Sequence, residues 1–153
     1  MYRVATEDPM SADAVMLQSA LSSTLWRLTG SSGRASFDPS ELRDVRACFV
    51  VARGERGEPV GCGALRPIEP GIAEIKRMFA LPGHRGVGRS VLAHLESEAR
   101  RLGYEEIWLE TREVNQRAVS FYERHGYVRI ANYGQYTGRL DAACFGKCLP
   151  RAS

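Results

Sequence analysis

The residues best placed to do chemistry fall in separate stretches of the chain. One is Gly83-His84-Arg85-Gly86-Val87-Gly88, followed by Arg89 and Ser90. It lies between a strand-like run and a helical one. Amides at a helix start lack partners, and the helix dipole adds positive potential there. Glycines let a bulky phosphate approach the main chain. The loop therefore reads as an anion cradle. It is not a nucleotide P-loop, because no Lys-Ser/Thr pair follows, and it lacks the third glycine of a dinucleotide fingerprint. A second stretch is Asn115 to Tyr122, seven residues apart and so on one helix face. A phenol on that face can give a proton to a leaving thiolate, or simply pack in the core. Glu74 is a third candidate. A carboxylate within an apolar strand reads either as a general base raised by burial or as an ion-pair partner of Lys76 or Arg77. Glu110, at the end of the next strand, is a further candidate carboxylate. His84, His94 and His125 read as loop, surface and helix-end residues, without a catalytic role.

Elements must position these groups. Tyr2–Thr6 reads as a short strand. Ser11 can cap a helix carrying Val15, Leu17, Leu21, Leu25 and Leu28, broken by Gly30-Ser31-Ser32-Gly33. A short turn or helix follows at Phe37-Asp38-Pro39-Ser40. Ala47–Arg53 and Pro59–Arg66 read as strands of a hairpin, and Ile72–Ala80 as a third. In that third strand, alternation places Glu74, Lys76 and Met78 on one face, and Ile75, Arg77 and Phe79 on the other. The helix after the glycine loop buries Val91, Leu92, Leu95, Ala99 and Leu102 and stops at Gly103. Glu105–Thr111 is a strand. Asn115 caps a helix ending at Gly126, and Val128–Ala131 and Ala143–Leu149 complete the strands. The order β-α-α-β-β-β-α-β-α-β-β describes a mixed α/β layer structure.

The bulk properties agree. A chain of 153 residues, 44% hydrophobic and 25% charged, suits one globular domain spanning residues 1–153. A formal net charge of +3, with basic and acidic residues interleaved, argues against a nucleic-acid partner. No run spans a bilayer and the start is polar, so no membrane partner and a cytoplasmic location are the expectation. Cys48, Cys62, Cys144 and Cys148 lack zinc-site spacing, so they read as reduced, packed thiols and no metal is expected.

Taken in order, the strand AEIKRMFA, the loop GHRGVG, a long helix, the strand IWLET and NQRAVSFYERHGY resemble the GNAT (Gcn5-related N-acetyltransferase) superfamily, over about Ala73 to Ile130. The family's loop pattern is Arg/Gln-x-x-Gly-x-Gly/Ala. Gly83 stands where Arg or Gln is expected, and Arg85, Gly86, Val87 and Gly88 fit. Another alignment starts the pattern at Arg85 and ends it at Ser90. The resemblance implies a twisted sheet of six to seven strands, flanked by about four helices, with splayed central strands. It implies acetyl-CoA as donor, its pyrophosphate on the loop from Gly83 to Ser90, and its pantetheine on Met78, Phe79, Ala80 and Asn115. It makes Tyr122 the general acid, and it allows a homodimer. The acceptor is then a small-molecule or peptide amine, with Glu74 as base. Trp26, Phe37, Tyr133 and Tyr136 are candidates for an aromatic acceptor wall, with Glu110 beside it. A non-catalytic acyl-CoA sensor is the alternative function of such a fold.

Overall fold

The structure, a computed structural model, describes residues 1–34 and 37–150. Its strands are β1 (Arg3–Thr6), β2 (Cys48–Arg53), β3 (Pro59–Glu69), β4 (Ile72–Ala80), β5 (Glu106–Arg112), β6 (Val128–Arg129) and β7 (Ala142–Cys148). The helices are α1 (Ala12–Thr29), α2 (Val87–Arg101) and α3 (Gln116–Arg124). They match the mixed α/β expectation, with one change among the described residues. The segment after Phe37 is only a five-residue 3-10 turn, Pro39–Arg43, and a second such turn spans Gly134–Tyr136. Three α-helices therefore stand where about four were expected.

One seven-stranded sheet has the order β1-β2-β3-β4-β5-β7-β6. Every neighbouring pair is antiparallel except β4 and β5. Those two run parallel, and they pair only at Ile72↔Glu106, Ala73↔Ile107 and Glu74↔Trp108. Beyond Glu74 they part, so the sheet opens along the last residues of β4 and β5.

The helices cover both faces. Val87, Val91, Leu92, Leu95 and Ala99 of α2, with Val119 and Tyr122 of α3, join the larger core. Ala14 and Leu17 of α1 pack on the opposite face with Phe37, Phe49, Cys62 and Ala64. The Ser11 hydroxyl accepts the Ala14 amide at 3.1 Å and starts α1. Left-handed Gly30 ends it by donating to Trp26 O at 2.9 Å. The buried stripe is Ala14, Leu17 and Leu21, turned from the expected one, because Val15 and Leu28 face solvent. On the other face α2 sits very close to β3. A Cβ on Gly63 would lie 2.9 Å from Leu95, Met78 and Val91, so only glycine admits the helix there.

The expected alternation along β4 fails at Lys76-Arg77. Register shifts there, since Cys62 pairs with Phe79 but Ala64 pairs with Lys76. The extra residue is a β-bulge, with Arg77 at φ 56°. Its consequence is that Glu74, Lys76, Arg77 and Phe79 face α1, while Ile75 and Met78 face α2.

Candidate active site

The opening between β4 and β5 holds a cleft of about 360 Å³. Its walls are Ile75, Lys76, Arg77 and Met78 from β4, Glu110, Thr111 and Arg112 from β5, and Asn115, Ala118 and Tyr122 from α3. Leu21, Leu25 and Thr29 of α1 and the Gln135–Arg139 region close one end.

The glycine loop follows β4 directly and leads into α2. Gly83 and Gly86 take φ of 88° and 84°, a conformation that suits glycine. Tyr2 donates its hydroxyl to Arg85 O at 2.8 Å and pins the turn. Gly86 is the residue before α2, and no side chain caps that helix start. Val87 is fully buried, so its side chain anchors the helix and only its main chain can meet a ligand. Arg85 and Arg89 are exposed on either side, with His84 and Ser90 half-buried. Uncapped amides, the helix dipole and flanking guanidiniums together suit a pyrophosphate. Met78, Phe79 and Ala80 end β4 beyond its last pairing with β5, so that edge is free of a strand partner. Asn115 accepts the Ala118 amide on Oδ1 at 3.2 Å. This caps α3 at the cleft wall and leaves its amide nitrogen as a remaining donor.

Tyr122 lies at the inner wall. Its ring meets Phe121, Tyr127 and Phe145 at centroid distances of 5.2, 5.7 and 6.5 Å. Burial alone pushes its phenol well above the ordinary value, so it keeps its proton. Glu110 sits nearby on β5. One of its oxygens is buried without a hydrogen bond, 3.5 Å from Arg112 Nε. Burial raises its pKa above 4.5, opposed by Lys76, Arg112 and Arg139.

Glu74 has a different setting. It is 1% exposed and is not among the cleft-lining residues. Arg66 donates to Oε1 from Nε at 2.8 Å and Nη2 at 2.7 Å. Tyr133 donates to Oε2, and Lys76 Nζ stands 3.8 Å away. The carboxylate is thus the centre of an ion-pair cluster that also reaches Glu41 through Arg66.

The aromatic candidates are dispersed. Trp26 is 64% exposed over a shallow surface hollow with Arg27 and Arg34. Phe37 is buried beneath the Arg77 guanidinium, whose carbon is 5.8 Å from its ring centre. Tyr133 tilts against Trp108 at 5.0 Å. Only Tyr136 of the four lines the cleft, accepting a hydrogen bond from Lys76. Sequence reasoning passed over Arg66, Arg112 and Arg139. The β3–β4 hairpin register, which sets Arg66 opposite Glu74, is the signal for the first. Arg112 follows Glu110 by two on the same strand, whereas nothing local points to Arg139. Cys62 is buried, its thiol pushed up to about 12, and Cys48 is held at about 11, both chiefly by desolvation. That supports packed thiols rather than nucleophiles for these two, and Cys144 is buried as well, whereas Cys148 at the end of β7 is exposed rather than packed.

A split central sheet with an uncapped glycine-led helix beside the split, and a tyrosine and a carboxylate within it, defines the architecture of an acyl-group transferase. Residues 17–127 match the acetyltransferase (GNAT) family model. An IAA acetyltransferase of Azospirillum brasilense is 33% identical over 136 residues, covering 87% of this chain and 88% of the relative. An uncharacterized N-acetyltransferase, YjgM of Escherichia coli (strain K12), is 32% identical over 126 residues, covering 74% of each. The crystal structure of a putative acyl-CoA N-acyltransferase from Klebsiella pneumoniae superposes with a TM-score of 0.82 at 28% identity, covering 97% of this chain and 98% of that one. The chain belongs to the GNAT acetyltransferase family, and it is an N-acetyltransferase enzyme.

Proposed function

We propose that the chain transfers acetyl from acetyl-CoA to a primary amine by direct attack, both substrates being held in the cleft together. The observation that carries this reading is the uncapped start of α2 at Gly86, packed through Gly88 against Phe121 of α3, whose neighbour Tyr122 lines a cleft shared with Glu110. The loop residues Gly83 to Ser90 hold the pyrophosphate, and Met78 to Ala80 with Asn115 hold the pantetheine arm. Acetyl-CoA supplies an activated thioester, whose carbonyl gains from any main-chain donor on the free edge of β4.

Glu110 is the base in this reading. An alkylammonium has a pKa near ~10 and must lose a proton before attack. Glu110 lies in the cleft with an unbonded oxygen and a raised pKa, whereas Glu74 is committed to Arg66 and Tyr133. Tyr122 passes its proton to the departing thiolate. A free thiolate near ~8.5 is a weak base for so raised a phenol, but the same burial raises the thiol as well. Proximity of the two substrates supplies much of the rate.

The test is acceptor-dependent thiol release, followed for the wild type and Tyr122→Phe. The variant is expected to lose ~10²-fold or more in kcat while acetyl-CoA affinity holds. Undiminished turnover would remove Tyr122 from the chemistry. Binding of acetyl-CoA without thiol release from any of a broad set of amines would remove the direct-transfer reading.

A further inference from the structure

The charges around the acceptor end of the cleft do not balance. Arg66 pairs with Glu41 and Glu74, and Lys76 leans on Glu74. Arg112 and Arg139 share Asp141, and Arg112 also approaches Glu110. Arg77 has no carboxylate among the described residues. The residue is 8% exposed, and its guanidinium donates to neutral oxygens, Ser22 Oγ at 2.8 Å, Gln18 O at 3.1 Å and Ser32 O at 3.4 Å, and lies over the Phe37 ring. Its Nε is buried with no acceptor.

The neighbourhood sharpens the imbalance. Ser22 Oγ also accepts from Arg34 Nε at 3.2 Å, so a second guanidinium converges on the same hydroxyl. A buried cation without a counter-charge is costly by desolvation, and neutral acceptors offset only part of that cost. Desolvation accordingly lowers the Arg77 pKa, and the nearby Arg34 charge acts the same way. The backbone is also held at positive φ at this residue, which places the side chain on the α1 face of the sheet. None of Lys76, Arg77, Arg112 or Arg139 belongs to the Gly83–Gly88 loop, so the donor's pyrophosphate does not explain them.

We infer that the acceptor is an acidic amine, whose oxyanion is received at the Arg77 end of the cleft while its amino group faces Glu110. This rests on the transfer reading above and narrows it to a substrate class. An oxyanion, carboxylate or phosphate, gives the guanidinium the charge-assisted partner it lacks. Polycations are rejected, since Lys76, Arg77, Arg112 and Arg139 line the cleft against one lining carboxylate, Glu110.

The experiment measures kcat/KM by thiol release for matched acceptors with acetyl-CoA. One arm compares amino acids with their carboxamides, another phosphoethanolamine with ethanolamine, and a third uses spermidine. The acidic member of a pair is expected to lead by ~10-fold or more, and Arg77→Gln should shrink that lead to about twofold. Which arm responds identifies the oxyanion. Equal rates, or a lead for the neutral or polycationic amines, would overturn the inference while leaving the transfer reading intact. If no amine turns over, or if Arg77→Gln does not fold, calorimetry on the CoA-loaded wild type decides. It compares N-acetyl amino acids with their amides, and the inference stands only if the acids bind more tightly. Failure of acetyl-CoA itself to bind would instead strike the transfer reading.

Discussion

Glu74 and Glu110 lie on adjacent strands, yet their surroundings differ in kind. Glu74 accepts from Arg66 and Tyr133 and is nearly sealed from solvent. Glu110 keeps an oxygen unbonded beside the cleft. Glu110→Gln should therefore lower kcat by ~10²-fold or more. It should also raise the melting temperature at neutral pH. A carboxylate whose folded pKa is raised stabilises the fold fully below its unfolded pKa, and that contribution is lost as pH rises through the folded value. Burial raises Glu110 above 4.5, so removing its charge removes a cost at pH 7. The same shift puts the acid limb of kcat above pH 4.5, with activity climbing as Glu110 deprotonates, and the limb should vanish in the glutamine variant. Glu74→Gln should act in the opposite sense on stability. It leaves Arg66 with Glu41 alone and should cost about 3 kcal/mol in urea denaturation. A stable but inactive Glu74→Gln protein would return the role of base to Glu74. The sequence marked Glu74 as unusual within an apolar strand and Glu110 as a further candidate at the end of the next. It did not separate them, because the difference lies in Arg66, set opposite by the β3–β4 hairpin, and in Tyr133, which reaches Glu74 from 59 residues along the chain.

Elements were legible where pattern and capping agreed. Ile72–Ala80 kept its expected limits, α2 buried its expected stripe, and Asn115 capped α3. The β4 bulge was not legible, because it requires a non-glycine residue at positive φ. Such a conformation costs ~1–2 kcal/mol, and no local preference of arginine announces it. Bonds from Arg77 to Gln18 O and Ser22 Oγ of α1 hold it, so the bulge is a tertiary feature. The contact of α2 with β3 is likewise set by small residues across the sheet. A Cβ on Gly61 would lie 2.3 Å from Val87 Cγ1 and 2.8 Å from Phe79 O. Val87 opens α2, so Gly61→Ala should push the helix start away from β3. A loss of ~1–3 kcal/mol in stability and a raised KM for acetyl-CoA are expected, read by denaturation and steady-state kinetics. Gly57→Ala, in the turn between β2 and β3, is the control. A Cβ there meets nothing within 4 Å, so only its left-handed backbone, worth about 1 kcal/mol, is at stake. Equal effects of the two variants on KM would detach the helix position from donor binding.

At the scale of the molecule, the sheet is two sheets joined at one end. β1 to β4 form an antiparallel half, and β5, β7 and β6 form another. The junction is the short run Ile72↔Glu106 to Glu74↔Trp108, extended by the Glu105 and Glu106 amides bonding Gly71 O at 2.8 and 3.1 Å. Beyond it, α2 and α3 bridge the halves only from one face, through packing such as Phe121 against Gly88. A donor lying in the split would bond the β4 edge and Asn115 of α3 together. It would replace, on the open side, the strand pairing that the split removes. Acetyl-CoA should therefore act as a structural link between the halves as well as a substrate. At about 100 times its Kd, binding to the folded state alone stabilises by ~2.7 kcal/mol. For a domain of this size that is a melting shift of ~5–10 °C. Hydrogen exchange should locate it, with added protection along Met78–Ala80, the Val87–Ser90 turn and the start of α3. The closed end at Ile72–Glu74, already paired, should change least. A melting shift without protection at the β4 edge would place the donor elsewhere, and the split sheet would then have to be held open by the acceptor end alone.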